Sequence, residues 1–337
     1  MLNYLIVGAG IYGATCARLL TEAGCTVKVV ERRGHIAGNC HDTQIEGVTV
    51  GCYGVHIFHT NAPRIWEFVR RFAKWQPYEH RVKAVANGVV YSFPPNRLTA
   101  QQLGISLGDE DAEKVLRKTF FVGYSEKQWG RPYDEIPRSI TRRIPIRDSY
   151  DDRYFSDKYQ GMPIGGYTAM VANMLKGIPV ETGIDYIKDR DYWNKQAKTV
   201  IYTGALDELF DYSIGTLEYR SLTHTTRVLP SDVVGAATLN YCDKGVPYTR
   251  IINWRTIGYQ DGNAWPVTWE YPAGKGEKYY PVPTDSNLEL HRLYETLCKR
   301  EAANTRPGGR LGLYQYLNMD QAIGAAMALV GKLVTGE

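Results

Sequence analysis

A chain of 337 residues with 44% hydrophobic residues can bury a sizeable core and is long enough for about two domains. Its apolar runs are too short to cross a bilayer, so we expect a soluble, cytoplasmic protein with no membrane partner. The six cysteines form no CxxC pair, which predicts neither a zinc or other metal site nor a disulfide framework. A formal net charge of +4 is too small to indicate nucleic acid as a partner.

The first elements along the chain predict a βαβ unit. Residues 2–7 form an apolar run typical of a buried strand, residues 11–23 have the pattern of a helix, and residues 27–31 form a second strand. A glycine-rich turn over residues 8–13 joins the first strand to the helix. This order predicts an α/β fold that begins with a Rossmann-type domain.

The glycine turn has the pattern GxGxxG, in which each glycine has a physical reason. Gly8 permits the tight turn, Gly10 lets the backbone approach a pyrophosphate, and Gly13 lets the helix pack closely on the strand. Free N–H groups at the start of the helix bind phosphate, and Glu31 at the end of the second strand accepts hydrogen bonds from a ribose. The sequence therefore predicts a site for the adenosine-diphosphate half of a dinucleotide.

The choice between dinucleotides depends on the residues that follow Glu31. Arg32 and Arg33 leave NADP open, because arginines there could bind a 2′-phosphate. The second glycine turn that ends at Gly38 and Asn39 is common in flavin proteins and favours FAD. We expect FAD to be the cofactor.

The rest of the chain alternates predicted helices, strands and loops. Helical patterns cover residues 62–75, 98–118, 167–175, 286–303 and 320–330, the last with Asp320 as its N-cap. Strand patterns cover a hairpin at 81–93 that turns at Asn87-Gly88, residues 199–203, an antiparallel sheet over 206–280, and residues 311–316. Residues 132–153 are rich in arginine and proline and predict a surface loop.

These elements predict a discontinuous cofactor domain beside two smaller units. We expect a Rossmann-like FAD-binding domain at 1–80, completed by 160–205 and 305–337; a small helical domain at 97–155 with a mobile arginine-rich loop; and an antiparallel β-sheet substrate domain formed by 81–96 and 206–304.

Five runs of sequence closely resemble UDP-galactopyranose mutases. They are YGVHIFHT at 53–60, FFVGYSEKQWG at 120–130, YDDRYF at 150–155, PYTRII at 247–252 and GRLGLYQY at 309–316. The runs keep the order of that family, and the resemblance extends over nearly the whole chain. A shared fold alone is therefore a poor explanation for it.

The resemblance implies an isomerase of cell-surface glycan biosynthesis that interconverts UDP-galactopyranose and UDP-galactofuranose. In that family FAD works in its reduced form, and its N5 atom attacks the anomeric carbon of the UDP-sugar and expels UDP. This chemistry requires cationic groups beside the departing diphosphate and a site that excludes water.

The resemblance also assigns residues to roles. Arg143 and Arg250 are expected to clamp the diphosphate, with Arg143 on a loop at 137–147 that closes over the substrate, and His56 and His59 are expected to face the flavin. The expected substrate-binding residues are Asn96, Phe120, Phe121 and Tyr124 for uridine, Trp129 for the sugar, and Tyr154, Tyr280 and Tyr316 for the phosphates. The expected cofactor-binding residues are Gly8, Gly10, Ile11, Tyr12, Gly13, Glu31, Arg32, Gly38, Asn39, His56, Ile57, Arg310, Asn318 and Met319.

The sequence departs from the family pattern at Ala37, Val55, Ala205 and Asn318 and in its length, and the difference in length leaves the oligomeric state and the exact substrate open. Asn318 stands where an aspartate is common, and the helical region between Asn96 and Phe120 is shorter than in bacterial members, in which that domain forms the dimer interface. A homodimer therefore stays open, as does a related UDP-sugar such as N-acetylated galactose or a pentose. An FAD oxidoreductase of the amine-oxidase type and a catalytically silent UDP-sugar-binding protein are competing interpretations of the same sequence.

Overall fold

A computed structural model describes residues 1–258 and 260–336 of the chain. The helices are α1 (Ile11–Glu22), α2 (Pro63–Arg70), α3 (Arg97–Leu103), α4 (Ala112–Arg117), α5 (Gly123–Trp129), α6 (Arg138–Thr141), α7 (Gly166–Leu175), α8 (Arg190–Gln196), α9 (Leu206–Leu209), α10 (Asp285–Glu301), α11 (Gly309–Gly312) and α12 (Met319–Thr335). The strands are β1 (Leu2–Val7), β2 (Val27–Glu31), β3 (Asp42–Ile45), β4 (Val48–Gly51), β5 (Phe58–Thr60), β6 (Trp75–Pro77), β7 (Val82–Ala86), β8 (Val89–Phe93), β9 (Tyr159–Pro163), β10 (Val180–Thr182), β11 (Ala197–Tyr202), β12 (Tyr219–Leu229), β13 (Thr238–Tyr241), β14 (Arg250–Asn253), β15 (Trp265–Ala273), β16 (Tyr280–Pro281) and β17 (Thr305–Pro307).

A parallel sheet with strand order β10-β2-β1-β11-β17 carries the first βαβ unit. Neighbouring residues of each central strand pack in different hydrophobic cores, one on each face of the sheet. In β1, Ile6 packs towards α1, α7 and α12, whereas Leu5 packs towards α9 and α10. Both faces of the sheet are covered, which is why these strands are apolar at almost every position rather than at every second one.

A larger, mixed sheet has the strand order β16-β12-β15-β14-β13-β7-β8. Its pairs are antiparallel except for β13 with β7, which run parallel. The predicted hairpin is confirmed: β7 and β8 pair through Ala86 and Val89, and Asn87 and Gly88 both adopt positive φ angles, of 50° and 76°. There are two smaller sheets, β3-β4 and β5-β9-β6, in the described part of the chain. In sequence, β3 to β6 lie between β2 and β7, and β9 lies between β8 and β10.

Short helices pack over one end of this mixed sheet. Between α4 and α5 the chain forms a π-helical turn over Lys118–Val122, a conformation that is rare and often found at functional sites. Leu116 and Phe120 of this region are buried against Val82 and Phe93 of the β7-β8 hairpin. These contacts fix α5 against the sheet that carries Arg250.

The α/β fold class with a Rossmann-like domain and an antiparallel sheet is confirmed, but three local predictions are wrong. Residues 311–316 do not form a strand, because β17 already occupies the edge beside β11 and the chain then turns through α11. The helix predicted over 62–75 ends at Arg70, since Trp75 pairs within β6. Asn318 rather than Asp320 caps α12, in a capping box with Gln321.

Within residues 1–258 and 260–336, the helices are short or polar compared with membrane spans. None of them has the length and apolarity needed to cross a membrane. The same residues contain no group of three or more histidine, cysteine, aspartate or glutamate side chains placed to hold a metal ion.

Candidate functional site

The glycine turn between β1 and α1 leaves no room for a side chain at Gly8 or Gly13. A Cβ atom on Gly8 would lie 1.9 Å from Thr203 Oγ1, and one on Gly13 would lie 2.0 Å from the carbonyl oxygen of Gly8. Gly10 is the N-cap of α1 and no side chain caps the helix there. The first N–H groups of α1 are therefore available to an anion, as a dinucleotide pyrophosphate requires.

The sequence-predicted cofactor residues gather along one cleft. It begins at the glycine turn and runs to the N-terminus of α12. The predicted residues that line it are Gly8, Gly10, Ile11, Tyr12, Gly13, Glu31, Arg32, Gly38, Asn39, His56, Arg310, Asn318 and Met319. Ile57 differs, because it is buried in a separate apolar cluster with Val48 and Ile252.

Glu31 is held in place by backbone N–H groups. Its Oε2 accepts a hydrogen bond from Ala9 N at 2.8 Å, and its Oε1 accepts one from Arg33 N at 2.9 Å. An ionised carboxylate has room for about four such bonds. Glu31 therefore keeps acceptor positions for the hydroxyl groups of a ribose.

The arginines that left NADP open are already engaged by other side chains. Arg32 lies 3.4 Å from a carboxylate oxygen of Glu208. Arg33 donates to Asn39 Oδ1 at 3.0 Å, forms an ion pair with Glu277 and lies over the ring of Tyr53. Carboxylates therefore contact both guanidinium groups at this edge of the cleft.

His56 faces the cleft as a neutral imidazole. Burial, reinforced by the nearby guanidinium of Arg310, lowers the pKa of His56 to about 4. Its Nδ1 lies 3.1 Å from the carbonyl oxygen of Gly54, and since a carbonyl only accepts, Nδ1 carries the proton. The other ring nitrogen of His56 is then an acceptor.

Beyond His56, Arg143 and Arg310 lie over a stacked pair of tyrosines, and Arg250 is close enough for its charge to act on both phenols. The rings of Tyr280 and Tyr316 lie 5.0 Å apart and within 5° of parallel. The guanidinium carbon of Arg143 lies 4.0 Å from the centre of the Tyr316 ring, and that of Arg310 lies 5.0 Å from it. Arg143 also donates to Asn318 Oδ1 at 2.9 Å, so the arginine-rich loop contacts the start of α12.

The arginines make the two tyrosines electrostatically different. Burial raises the pKa of Tyr316, but the guanidinium groups of Arg143 and Arg310 outweigh it and hold this pKa below its ordinary value. For Tyr280 burial dominates, and its pKa is raised well above the usual range. The phenol of Tyr280 is thus a firm hydrogen-bond donor in a strongly positive environment.

Arg250 is held in place by neighbouring side chains on both sides of its strand. It is the first residue of β14, and its neighbours in register are Asn240 on β13 and Glu270 on β15. Arg250 Nη2 donates to Tyr124 OH at 3.0 Å and Nε donates to Asn240 Oδ1 at 3.2 Å, while Nη1 lies 3.7 Å from Glu270. Burial opposes ionisation of Glu270, yet Arg250 holds the pKa of that carboxyl below its ordinary value, so both stay charged.

Of the remaining predicted substrate residues, Tyr124 and Tyr154 lie close to Arg250, whereas Phe121 and Trp129 pack in apolar clusters. Tyr124 is on α5, and Tyr154 is close enough for Arg250 to offset part of the pKa increase that burial imposes on its phenol. Phe121 is buried next to Phe93, and Trp129 packs against Val282 and lies 6.3 Å from Tyr280.

Three predicted site residues make contacts in the structure other than those that were expected. Asn96 does not offer its side chain to a nucleotide: it is fully buried, caps α3 through Thr99 and donates to Ser92 Oγ. Phe120 is a core residue, buried edge-on against Tyr91. His59 does not line the described part of the cleft, since its ring stacks on Phe155 and bonds Asp157. The side chain of Asn96 makes these hydrogen bonds because asparagine is one of the residues favoured at the N-cap of a helix.

Sequence reasoning missed several residues of the site. Lys278, Tyr279 and residues 184–187 line the cofactor cleft, and Glu270 and His224 lie beneath His56. The local signal for Glu270 is an acid within an apolar strand pattern, where a charge requires a partner. Its partner, Arg250, becomes visible only through the strand register.

Comparison with known proteins shows the family of this chain. The family model for UDP-galactopyranose mutase matches residues 119–316, and a model for an NAD(P)-binding Rossmann-like domain matches residues 6–72. A probable UDP-galactopyranose mutase of Klebsiella pneumoniae is 37% identical, over 96% of this chain and 93% of the relative. A dTDP-fucopyranose mutase of Escherichia coli is 36% identical, over 97% of both chains.

A solved structure of reduced UDP-galactopyranose mutase superposes with a TM-score of 0.78 at 14% identity, over 100% of this chain and 94% of the other, which supports the fold. The matched region of the family model contains most of the mixed sheet, the arginine-rich loop and the stacked tyrosines. The chain belongs to the UDP-galactopyranose mutase family.

Proposed function

We propose that this protein is a UDP-galactopyranose mutase, which interconverts UDP-galactopyranose and UDP-galactofuranose and requires reduced FAD. The observation that carries the proposal is the cluster of Arg143, Arg250 and Arg310 around stacked tyrosines, directly beyond a dinucleotide cleft. Fixed cations placed there suit a diphosphate that gains negative charge as its bond to the sugar breaks.

FAD fits the residues that line the cleft. The glycine turn accommodates a pyrophosphate, Glu31 accepts ribose hydroxyl groups, and the opposite end is closed by Arg310 and the N-terminus of α12. When bound and reduced, FAD supplies the nucleophilic N5 atom that displaces UDP from the anomeric carbon. Arg310 and the helix dipole of α12 supply positive charge beside an electron-rich ring.

The chain's own residues bind and orient the nucleotide sugar. Arg250 and Arg143 bind the diphosphate, and Tyr154, Tyr280 and Tyr316 donate hydrogen bonds to its oxygen atoms. Tyr124, bonded to Arg250, lies where an aromatic face can meet the uracil ring together with Phe121. The arginine-rich loop, held on Asn318, excludes water from the reacting centre.

The test is turnover that depends on the redox state of the flavin. The purified protein is examined for a flavin spectrum and incubated with UDP-galactofuranose, with and without dithionite, while UDP-galactopyranose is followed by chromatography. We expect conversion only after reduction. Conversion that ignores the flavin's redox state, or none with reduced enzyme, contradicts the proposal.

A second candidate substrate is a related nucleotide sugar. The relative named dTDP-fucopyranose mutase is almost as similar as the one named for UDP-galactopyranose, so overall identity does not select the sugar or the base. Competition between UDP-galactopyranose and dTDP-fucopyranose in one reaction measures the ratio of kcat/KM values directly. We expect the ratio to favour the uridine nucleotide.

A conventional FAD oxidoreductase is the less favoured function. Such an enzyme has no need for a pair of arginines held on stacked and hydrogen-bonded tyrosines. Hydrogen peroxide production from amines, with no sugar isomerisation, would identify it.

A further inference from the structure

Lys127 on α5 has an unusual environment for a lysine. Its ammonium group donates to three backbone carbonyl oxygens, those of Tyr241 at 2.9 Å, Val246 at 3.1 Å and Tyr248 at 3.0 Å. An ammonium carries three N–H donors, so all of them are used. These partners are neutral carbonyls rather than carboxylates, and the side chain crosses from a helix to the connection between β13 and β14.

The three carbonyls lie at the end of β13 and in the loop that follows it. Residues 242–249 connect β13 to β14, and Arg250 follows immediately as the first residue of β14. Carbonyls that are withdrawn from water without partners cost free energy, and here one positive charge satisfies three half-buried ones. Lys127 therefore holds the loop in one conformation and fixes its distance from α5.

The helix α5 packs on the loop at 242–249 along a strip that we call the contact zone. Other contacts in this zone show how closely the helix and the loop approach each other. A Cβ atom on Gly123 would lie 2.3 Å from the carbonyl oxygen of Cys242, so the first turn of α5 rests directly on the loop. Glu126 pairs with Lys244 at the exposed rim. Where the zone reaches the site, Arg250 donates to Tyr124 OH at 3.0 Å.

We propose that Lys127 is a positioning residue that sets the separation of α5 from the β13-β14 loop and thereby aligns Tyr124 with Arg250 for nucleotide binding. This inference rests on the proposed function, because it takes those two side chains as the site of the UDP group. Tyr124 lies on the helix, and Arg250 is the first residue of β14, immediately after the loop. Lys127 joins both elements without itself touching the ligand.

The test is UDP binding by Lys127→Ala, measured by titration calorimetry on the FAD-loaded protein without turnover. A displacement of about an ångström between clamping groups has large effects, so we expect the dissociation constant for UDP to rise roughly tenfold or more. The matched control is Lys244→Ala, which removes a largely exposed lysine from the same contact zone. Exposed ion pairs contribute little, so its UDP affinity should stay within about twofold of wild type.

Chemical rescue separates positioning from general stabilisation. Lys127→Ala lacks the three carbons and the nitrogen that n-propylammonium supplies, so this cation should restore UDP affinity at a temperature well below unfolding. Tetramethylammonium has no N–H donor and should not restore it. If Lys127→Ala does not accumulate in folded form, Lys127→Met keeps the aliphatic stem and serves for the same binding measurement.

Two results overturn the inference. A folded variant that melts earlier but binds UDP like wild type would show that Lys127 only stabilises the fold. Wild-type protein that does not bind UDP would refute the proposed function and this inference together. Binding by wild type and its loss in the variant, with rescue, supports both.

Discussion

At the scale of single residues, the candidate site is built from charges that keep one another ionised. Glu270 is almost fully buried and still carries a lowered pKa, because Arg250 lies beside it in the sheet register. Removing either partner would leave an uncompensated buried charge, which costs far more than the pair contributes. Arg143 differs, since it reaches the site from an exposed loop and can be tested without disturbing the core.

Arg143→Ala should impair turnover much more than cofactor content. Loss of charge-assisted hydrogen bonds to a phosphate predicts a fall in kcat/KM of roughly tenfold to hundredfold. The FAD absorbance per protein and the melting temperature should stay at wild-type values. Arg142→Ala, one residue away and also exposed, is the control and should change kcat/KM by less than about twofold. Equal loss of FAD and turnover in Arg143→Ala would instead indicate a structural role.

His80 should make the protein sensitive to acid. Burial, with a smaller contribution from the charge of Arg250, lowers the pKa of His80 from 6.5 to about 3, while its ring bonds Tyr78 OH and Thr238 Oγ1. The unfolded chain then binds more protons than the folded one between these two pKa values, so stability falls as the pH drops below 6.5.

The comparison of wild type with His80→Gln measures this contribution. Between pH 6.5 and about 4.5, wild type should lose about 2 kcal/mol more of its free energy of unfolding than the variant loses. Urea unfolding of the FAD-loaded proteins at both pH values gives the difference. Burial also lowers the pKa of His56, but this residue is present in both proteins, so its contribution to the free energy of unfolding cancels from the difference. Identical acid sensitivity of the two proteins would contradict the assignment to His80.

At the scale of elements, the N-terminus of α12 contributes both to the stability of the helix and to the candidate site. Asn318 forms a capping box with Gln321 and also accepts a hydrogen bond from Arg143. The helix therefore begins where the cofactor cleft and the arginine-rich loop meet. Its cap is an asparagine, where members of the resembled family commonly have an aspartate, so the contact with Arg143 is made by a neutral amide.

Asn318→Ala should lower the free energy of unfolding by about 1 kcal/mol, which is the usual cost of losing an N-cap. Asp320→Ala, in the first turn of the same helix, is the matched control. Asp320 makes no cap hydrogen bond in the described helix, so its replacement should cost clearly less. Thermal and urea unfolding of both variants provide the measurement, and a larger loss for Asp320→Ala would restore the sequence-based assignment of the cap.

At the scale of the whole molecule, the cofactor cleft is shared between the two large sheets. Gly8 and Glu31 come from the parallel sheet and its first turn, whereas Lys278 and Tyr279 lie between β15 and β16 of the mixed sheet. A ligand that fills the cleft contacts both units at once. Because the ligand binds only when the two sheets are folded together, its binding free energy also stabilises their arrangement.

Adding FAD to protein stripped of flavin should raise the melting temperature. At a hundredfold excess over the dissociation constant, one site contributes about 2.7 kcal/mol. FMN lacks the adenosine half and cannot use Glu31 or most of the cleft beside the glycine turn, so it should give a clearly smaller shift at the same concentration. Equal shifts with FMN and FAD would contradict the placement of the adenosine half at Gly8 to Gly13.

Local patterns in the sequence determined the parts of this protein that depend on neighbouring residues. The strand, glycine turn, helix and acid from Leu2 to Glu31 follow from periodicity and from the stereochemistry of glycine, and the hairpin at Asn87-Gly88 follows from its turn residues. The family resemblance predicted Arg143, Arg250 and Tyr316 as substrate-binding residues, and the structure places them close together.

Only the tertiary structure decided which side chains face one another across long stretches of chain. The register of β14 with β15 places Arg250 beside Glu270, and the packing of α5 places Lys127 against three carbonyls of a distant part of the chain. It also assigned Asn96 to a helix cap and Phe120 to the core, although the family resemblance predicted that both contact the nucleotide. Such pairings are invisible in a single sequence because they depend on strand order and packing, which no short window of residues encodes.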